Sequence, residues 1–151
     1  MKTISELKDY FQLIATGAVN DTAIANISGT IYFGSIDETG FYSGVDIVGS
    51  LVNFYFEPPQ NYISTSETYR EVLQKVTIVK ADNNDMGWTT KAMAYDNFTL
   101  LFNDMKGKIN SESFLLLEET YFKLEMKRVV SERTGGGNYF VANAEFKLKL
   151  Y

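Results

Sequence analysis

The last quarter of the chain alternates in a way that leaves little freedom of fold. In "TYFKLEMKRVV", Phe122, Leu124 and Met126 alternate with Lys123, Glu125 and Lys127. In "NYFVANAEFKLKLY", Phe140, Ala142, Ala144, Phe146, Leu148 and Leu150 alternate with Tyr139, Val141, Asn143, Glu145, Lys147 and Lys149. A period of two sends successive side chains to opposite faces of a sheet. The two runs therefore read as neighbouring antiparallel strands.

Gly135, Gly136 and Gly137 stand between them. A phosphate-cradling loop of either common type needs a helix after its glycines, and here a strand follows. The glycines read instead as the apex of a hairpin, where positive φ is needed. Matching apolar with apolar residues requires paired residue numbers with an even sum. A sum of 272 sets Glu125 opposite Lys147 and Lys127 opposite Glu145, whereas 270 opposes Glu125 with Glu145. Opposite charges across strands are favourable and like charges are not. The expected register is thus 272, centred on Gly136.

Upstream, Thr3-Ile4-Ser5-Glu6 fits a capping box. Ile4, Leu7, Phe11 and Ile14 share one helical face, and Gly17 reads as the stop, which predicts a helix over about 4–15. Residues 18–44 are rich in Gly, Ser, Thr, Asn and Asp and read as a long irregular connection with one short strand near 29–34. In "DIVGSLVNFYFEPP" both alternating sets are mainly apolar, the mark of a central strand covered on both faces. Pro58-Pro59 ends it, because proline cannot donate to a ladder. "SETYREVLQKVTIVKAD" is strand in its second half, Val76 to Val79; its first half fits either a helical turn or a strand extension. A second helix at 91–107 carries an apolar face of Ala94, Phe98, Leu101, Phe102 and Met105 and ends at Gly107. The expected fold is α+β: a mixed or antiparallel sheet, two helices on one face, and a long C-terminal β-hairpin. It forms one domain over 1–151, with an interface-type loop at 18–44 and an extended hairpin at 120–151.

Composition narrows the chemistry. The chain has no Cys and no His, so it offers no thiolate, no imidazole base and none of the commonest metal ligands. The formal charge of −5 opposes non-specific nucleic-acid binding. Asp82 to Gly87 begins like a calcium loop, but Met86 occupies a ligand position and the closing Glu is missing. A carboxylate enzyme would need a converging pair. Adjacent residues on a strand point apart, so Glu118 and Glu119 are not expected to converge; Asp37-Glu38 reads as solvated surface. No catalytic residue, cofactor or metal is expected. Lys8, Asp9 and Gln12 interrupt any signal-peptide core, and no run approaches 18 apolar residues, so synthesis in a cytoplasm without a membrane span is expected. Trp88, after the polar turn "DNNDMG", reads as a core or interface anchor.

Four aromatics in the long connection, Tyr32, Phe33, Phe41 and Tyr42, are hard to bury in one small domain and suit a subunit interface. With Gly135, Gly136, Gly137 and Asn138 at the hairpin tip they are the candidate interface residues. The segment from "VTIVKAD" through "AMAYDNFTLLFNDMKGKI" to "NAEFKLKLY" resembles small head–tail connector proteins of tailed bacteriophages, most of all the tail-terminator (tail-completion) family, by its order of elements. That resemblance implies an N-terminal helix, a mixed sheet, a helix before the last strands, and a non-enzymatic virion protein made in the host cytoplasm. It further implies a homo-oligomeric ring at the head–tail junction that meets neighbouring neck or tail proteins, with DNA only as passing cargo. The competing expectation is a small-ligand or lipid-binding module, its pocket between sheet and helices lined by Phe54, Phe56, Phe98 and Phe102. A carboxylate-dependent hydrolase is a third.

Overall fold

The computed structural model describes residues 3–22, 31–33, 52–57, 60–63, 69–81, 88–129 and 137–151. Among them are two helices and six strands. In chain order these are α1 (Ile4–Thr22), β1 (Ile31–Phe33), β2 (Asn53–Phe56), β3 (Gln60–Ile63), β4 (Arg70–Ala81), α2 (Lys91–Asn110), β5 (Leu115–Val129) and β6 (Gly137–Leu150). The fold is α+β. The strands form one mixed sheet in the order β1-β2-β4-β6-β5, with β3 also pairing β4. All described pairs are antiparallel except β1 with β2.

The expected capping box starts α1. Glu6 N–H donates to Thr3 Oγ1 at 3.1 Å, and Thr3 N–H reaches back to Glu6 Oε1 at 3.5 Å. The helix does not stop at Gly17; it runs on to Thr22. Ala15, Ala18 and Val19 prolong the buried face of Leu7, Phe11 and Ile14 past the glycine. Burial of that longer face outweighs the roughly 1 kcal/mol a helical glycine costs. The same holds for α2, which passes Gly107 and buries Ile109 as well as the five predicted residues. Thr90 caps its start by accepting from Met93 N–H. The long connection therefore begins after Thr22 rather than at residue 18, and its one described strand, β1, falls within the expected 29–34.

Both helices lie on one face of the sheet. Phe54 and Phe56 of β2, Val72, Val76 and Ile78 of β4, and the even-numbered residues Phe140 to Leu150 of β6 join the helical side chains in a single core. Aromatic rings fill its centre: Phe11 lies 5.8 Å from Phe56 and 6.0 Å from Phe146, and Phe102 lies 5.3 Å from Phe146. Trp88 is core: it closes one end against Phe98 and Phe140. The opposite face is buried too where the strands are central, at Asn53, Tyr55, Thr77, Val79, Tyr139 and Val141. The double coverage expected of the "NFYF" strand is therefore found.

Pairing does not end at the diproline. β2 leaves β4 at Phe56 opposite Val76, and β3 rejoins it at Gln60 opposite Leu73. The buried Gln74 side chain serves the break by donating to the carbonyls of Glu57, at 2.8 Å, and Lys75, at 3.0 Å. The ambiguous first half of the fourth strand is strand extension.

The C-terminal hairpin has the expected parity but another register. From Glu119 to Val129, paired residue numbers sum to 266, so Glu125 faces Val141 and Glu119 faces Lys147. The expected sum of 272 would set Leu150, where β6 ends, opposite Phe122 and leave Leu115 to Thr120 of β5 unpaired with β6. The observed register pairs β5 along its whole length and buries Leu115 opposite Leu150. Surface charge pairs worth roughly 0.2–1 kcal/mol each cannot compete with a lost half-strand. Gly137 is the first residue of β6, opposite Val129, so it is no apex. Gly135 and Gly136 lie outside the described residues, as does the polar turn over 82–87.

Candidate functional site

Among the predicted interface residues, Tyr32 and Phe33 are in β1, where their backbones pair with Tyr55 and Phe56 of β2. Gly137 and Asn138 open β6 opposite Val129 and Arg128. Phe41, Tyr42, Gly135 and Gly136 lie outside the described residues. The described four do not meet. Strands β2 and β4 separate β1 from β6, which spaces the two groups by about 14 Å across the sheet alone.

The four rings proposed to line a ligand pocket are core. Phe54, Phe56, Phe98 and Phe102 are all buried and belong to one packed cluster. Phe54 stacks on Phe56 at 6.1 Å, and Trp88 covers Phe98 edge-on at 5.0 Å.

The accessible features gather instead around β5. This 15-residue strand pairs with β6 on one side and, among the described residues, with no strand on the other. Leu116 and Tyr121 stand 47% and 49% exposed on it. On the helix side, Tyr95 of α2 is half exposed and packs edge-on against Phe122 at 5.9 Å. Beside it runs an open groove of about 480 Å³ lined by Lys91, Ala92, Tyr95, Asp96 and Leu124. Sequence reading missed this edge, although the exposed aromatic within the second helix and the mixed charge of "KLEMKR" were its signals.

The face of β4, β5 and β6 away from the helices carries pairs of opposite charges. Lys123 Nζ lies 2.9 Å from Glu125 Oε1, Lys149 Nζ lies 3.3 Å from Glu118 Oε1, and Lys75 Nζ lies 3.7 Å from Glu145 Oε1. The carboxylate partners hold Lys123 and Lys149 above the ordinary ammonium value, chiefly through their hydrogen bonds. Glu118 and Glu119 do reach the same face, contrary to the expectation from strand alternation. The register shifts between Leu117 and Glu119, so Glu118 is the extra residue of a β-bulge. Glu118 ion-pairs with Lys149, and Glu119 stands opposite Lys147 in the ladder, two residues away on the same side of β6. The ion pair of Glu118 with Lys149 across the bulge fixes strands rather than leaving that carboxylate poised for proton transfer. Among the described residues no three carboxylates gather as a cation site, and no helix is long and apolar enough to cross a membrane.

Comparison of the chain with known protein families and with curated proteins finds no match.

Proposed function

We propose that this protein is a non-enzymatic structural subunit that works by associating with copies of itself and with neighbouring proteins, as a ring-forming component of a tailed-phage head–tail junction. The observation that carries this reading is the long edge of β5, open among the described residues and flanked by the exposed rings of Tyr95 and Tyr121. Exposed edges offer unpaired backbone groups for pairing with another chain. The order of elements supports the finer reading: a helix, a mixed sheet, a second helix and a terminal hairpin whose last strand lies inside the sheet. An acidic ring would pass DNA without retaining it. The rival small-ligand reading loses its support, because the rings it requires fill one another's space.

Native mass spectrometry and negative-stain microscopy of the purified protein test the proposal. The expected result is closed rings at many multiples of 17.1 kDa, formed alone or on addition of neck or tail components, and presence of the chain in purified virions. A protein that stays monomeric with such components and is absent from virions would overturn it.

A further inference from the structure

The geometry points to a specific occupant for the open edge: β5 of a second copy, antiparallel to the first, across a two-fold axis at Leu124. The sheet would run on through both copies, with the helices of both on the same side.

The position of the axis follows from charge, parity and the length paired: an axis at Met126 also opposes Glu125 with Lys127, but it pairs only Lys123 to Val129 of β5. Pairing across a two-fold axis sets residues of equal parity opposite each other, so apolar meets apolar on the helix side. An axis at Phe122 opposes Glu119 with Glu125, and an axis at Lys123 opposes that lysine with its own copy. An axis at Glu125 repeats the fault with carboxylates. An axis at Leu124 sets Lys123 of each copy opposite Glu125 of the other, twice, and Phe122 opposite Met126. Lys123 and Glu125 already pair within one copy, so the contact joins four alternating charges. This register uses the stretch from Glu119 to Val129, all of it beyond the bulge at Glu118. An axis at Tyr121 would run into that bulge.

The groove agrees independently. It lies against Leu124 and carries, among the described residues, the cation Lys91 and the anion Asp96, with Ala92 and Tyr95 between. A two-fold axis at Leu124 brings the grooves of both copies together, and a surface bearing both signs complements its own rotated image. Tyr95, half exposed in the single chain, supplies the aromatic anchor that interface cores favour.

The chain has no cysteine, so a single introduced thiol reports the axis. Residues directly opposite on antiparallel strands have Cα atoms about 4.5–5.5 Å apart, within disulfide reach. Leu124→Cys is expected to form a covalent dimer rapidly on mild oxidation, whereas Thr120→Cys, exposed on the same strand but paired with Arg128, is not. Sedimentation of the unmodified protein at concentrations below ring assembly and without neck or tail components should give twice 17.1 kDa. Lys123→Glu, on the exposed face, should weaken association by about tenfold or more, and the swapped pair Lys123→Glu with Glu125→Lys should restore it. A monomer at all concentrations, equal cross-linking at 120 and 124, or failure of the swap to rescue would overturn the pairing. The outcome is separable from the ring reading. Rings without a Leu124→Cys cross-link sink the pairing alone; a cross-linked dimer that never forms higher assemblies sinks the ring alone.

Discussion

Lys108, in the last turn of α2, reaches across to Asp21, in the last turn of α1, and ion-pairs with its carboxylate while also meeting Asp104 one turn back at 3.2 Å. This contact ties the two helices together at the surface, above the buried face they share. A second tie lies close by: the Tyr10 hydroxyl donates to the Lys108 carbonyl at 3.2 Å, at the helix C-terminus, where that carbonyl also accepts from the Ser111 hydroxyl at 2.7 Å.

Both ties make the helical layer sensitive to alkali. Asp21, foremost, and Asp104 hold Lys108 above its ordinary value, and burial followed by Glu112 pushes the Tyr10 phenol up. A raised lysine contributes stability that is full below its unfolded value near 10.5 and lost as pH climbs through the folded value. A raised tyrosine acts in the same direction, since the unfolded phenol ionises first. Stability should therefore fall above about pH 10. Lys108→Met should cost under about 1 kcal/mol at neutral pH, as expected for a solvent-screened pair. Its urea midpoint should approach that of the parent at high pH. A constant gap from pH 7 to 11 would refute the role given to the ammonium.

Gly17 sits beneath the Lys108 stem, where an added Cβ would lie 3.2 Å from Lys108 Cε. The obstructing atom is near the end of a flexible side chain and can yield by a few tenths of an ångström. Gly17→Ala should therefore gain about 0.5 kcal/mol from helix propensity. Gly17→Leu, which cannot be accommodated under the stem, should lose stability. Thermal melts of the two variants read the contrast directly, and an alanine variant less stable than the parent contradicts it.

The bulge makes a prediction about length. Deleting Glu118 sets Leu117 and Glu119 in consecutive register opposite Leu148 and Lys147, with every other β5–β6 pair retained. Such a chain should fold with the parent's circular dichroism, at a cost of about 1 kcal/mol or less from the lost Lys149 partner. Collapse of the fold on this deletion would show that the bulge is required for sheet closure.

Alternation and helical spacing made every strand but β3, both helix faces and the parity of the hairpin legible in the sequence. Boundaries were not, where local and tertiary forces disagreed. Gly17 and Gly107 are stop signals read locally, and buried residues beyond them, Val19 and Ile109, carry the helices through. The hairpin register escaped because exposed charges are too weak to choose among registers of equal parity, whereas the extent of pairing with β6 decides. The strand after Pro58-Pro59 escaped because its support is a side chain on another strand, Gln74. The candidate association edge was unreadable for a related reason. Which strand is left at the rim depends on sheet order, and no local pattern encodes that β6, the last strand, lies inside.

Trp88 offers the simplest check on the core. It is the chain's single tryptophan, 1% exposed, wedged against Phe98 and Phe140, with Lys80 Nζ 5.4 Å from its ring centroid. Burial at the end of the core predicts native emission shifted to the blue and resistant to an aqueous quencher, with both properties lost together on unfolding. Because Lys80 is itself fully buried beside the ring, truncation here removes packing and a cation's aromatic neighbour at once. Trp88→Ala should cost about 3–5 kcal/mol, the range for emptying a large aromatic site, and Trp88→Phe distinctly less, because a phenyl ring retains part of the contact with Phe98. An indole that iodide quenches readily in the native protein would place Trp88 at the surface and remove the end of the core described above. Equal losses for the alanine and phenylalanine variants would instead assign its value to the indole's polar and cation contacts rather than to the volume it fills.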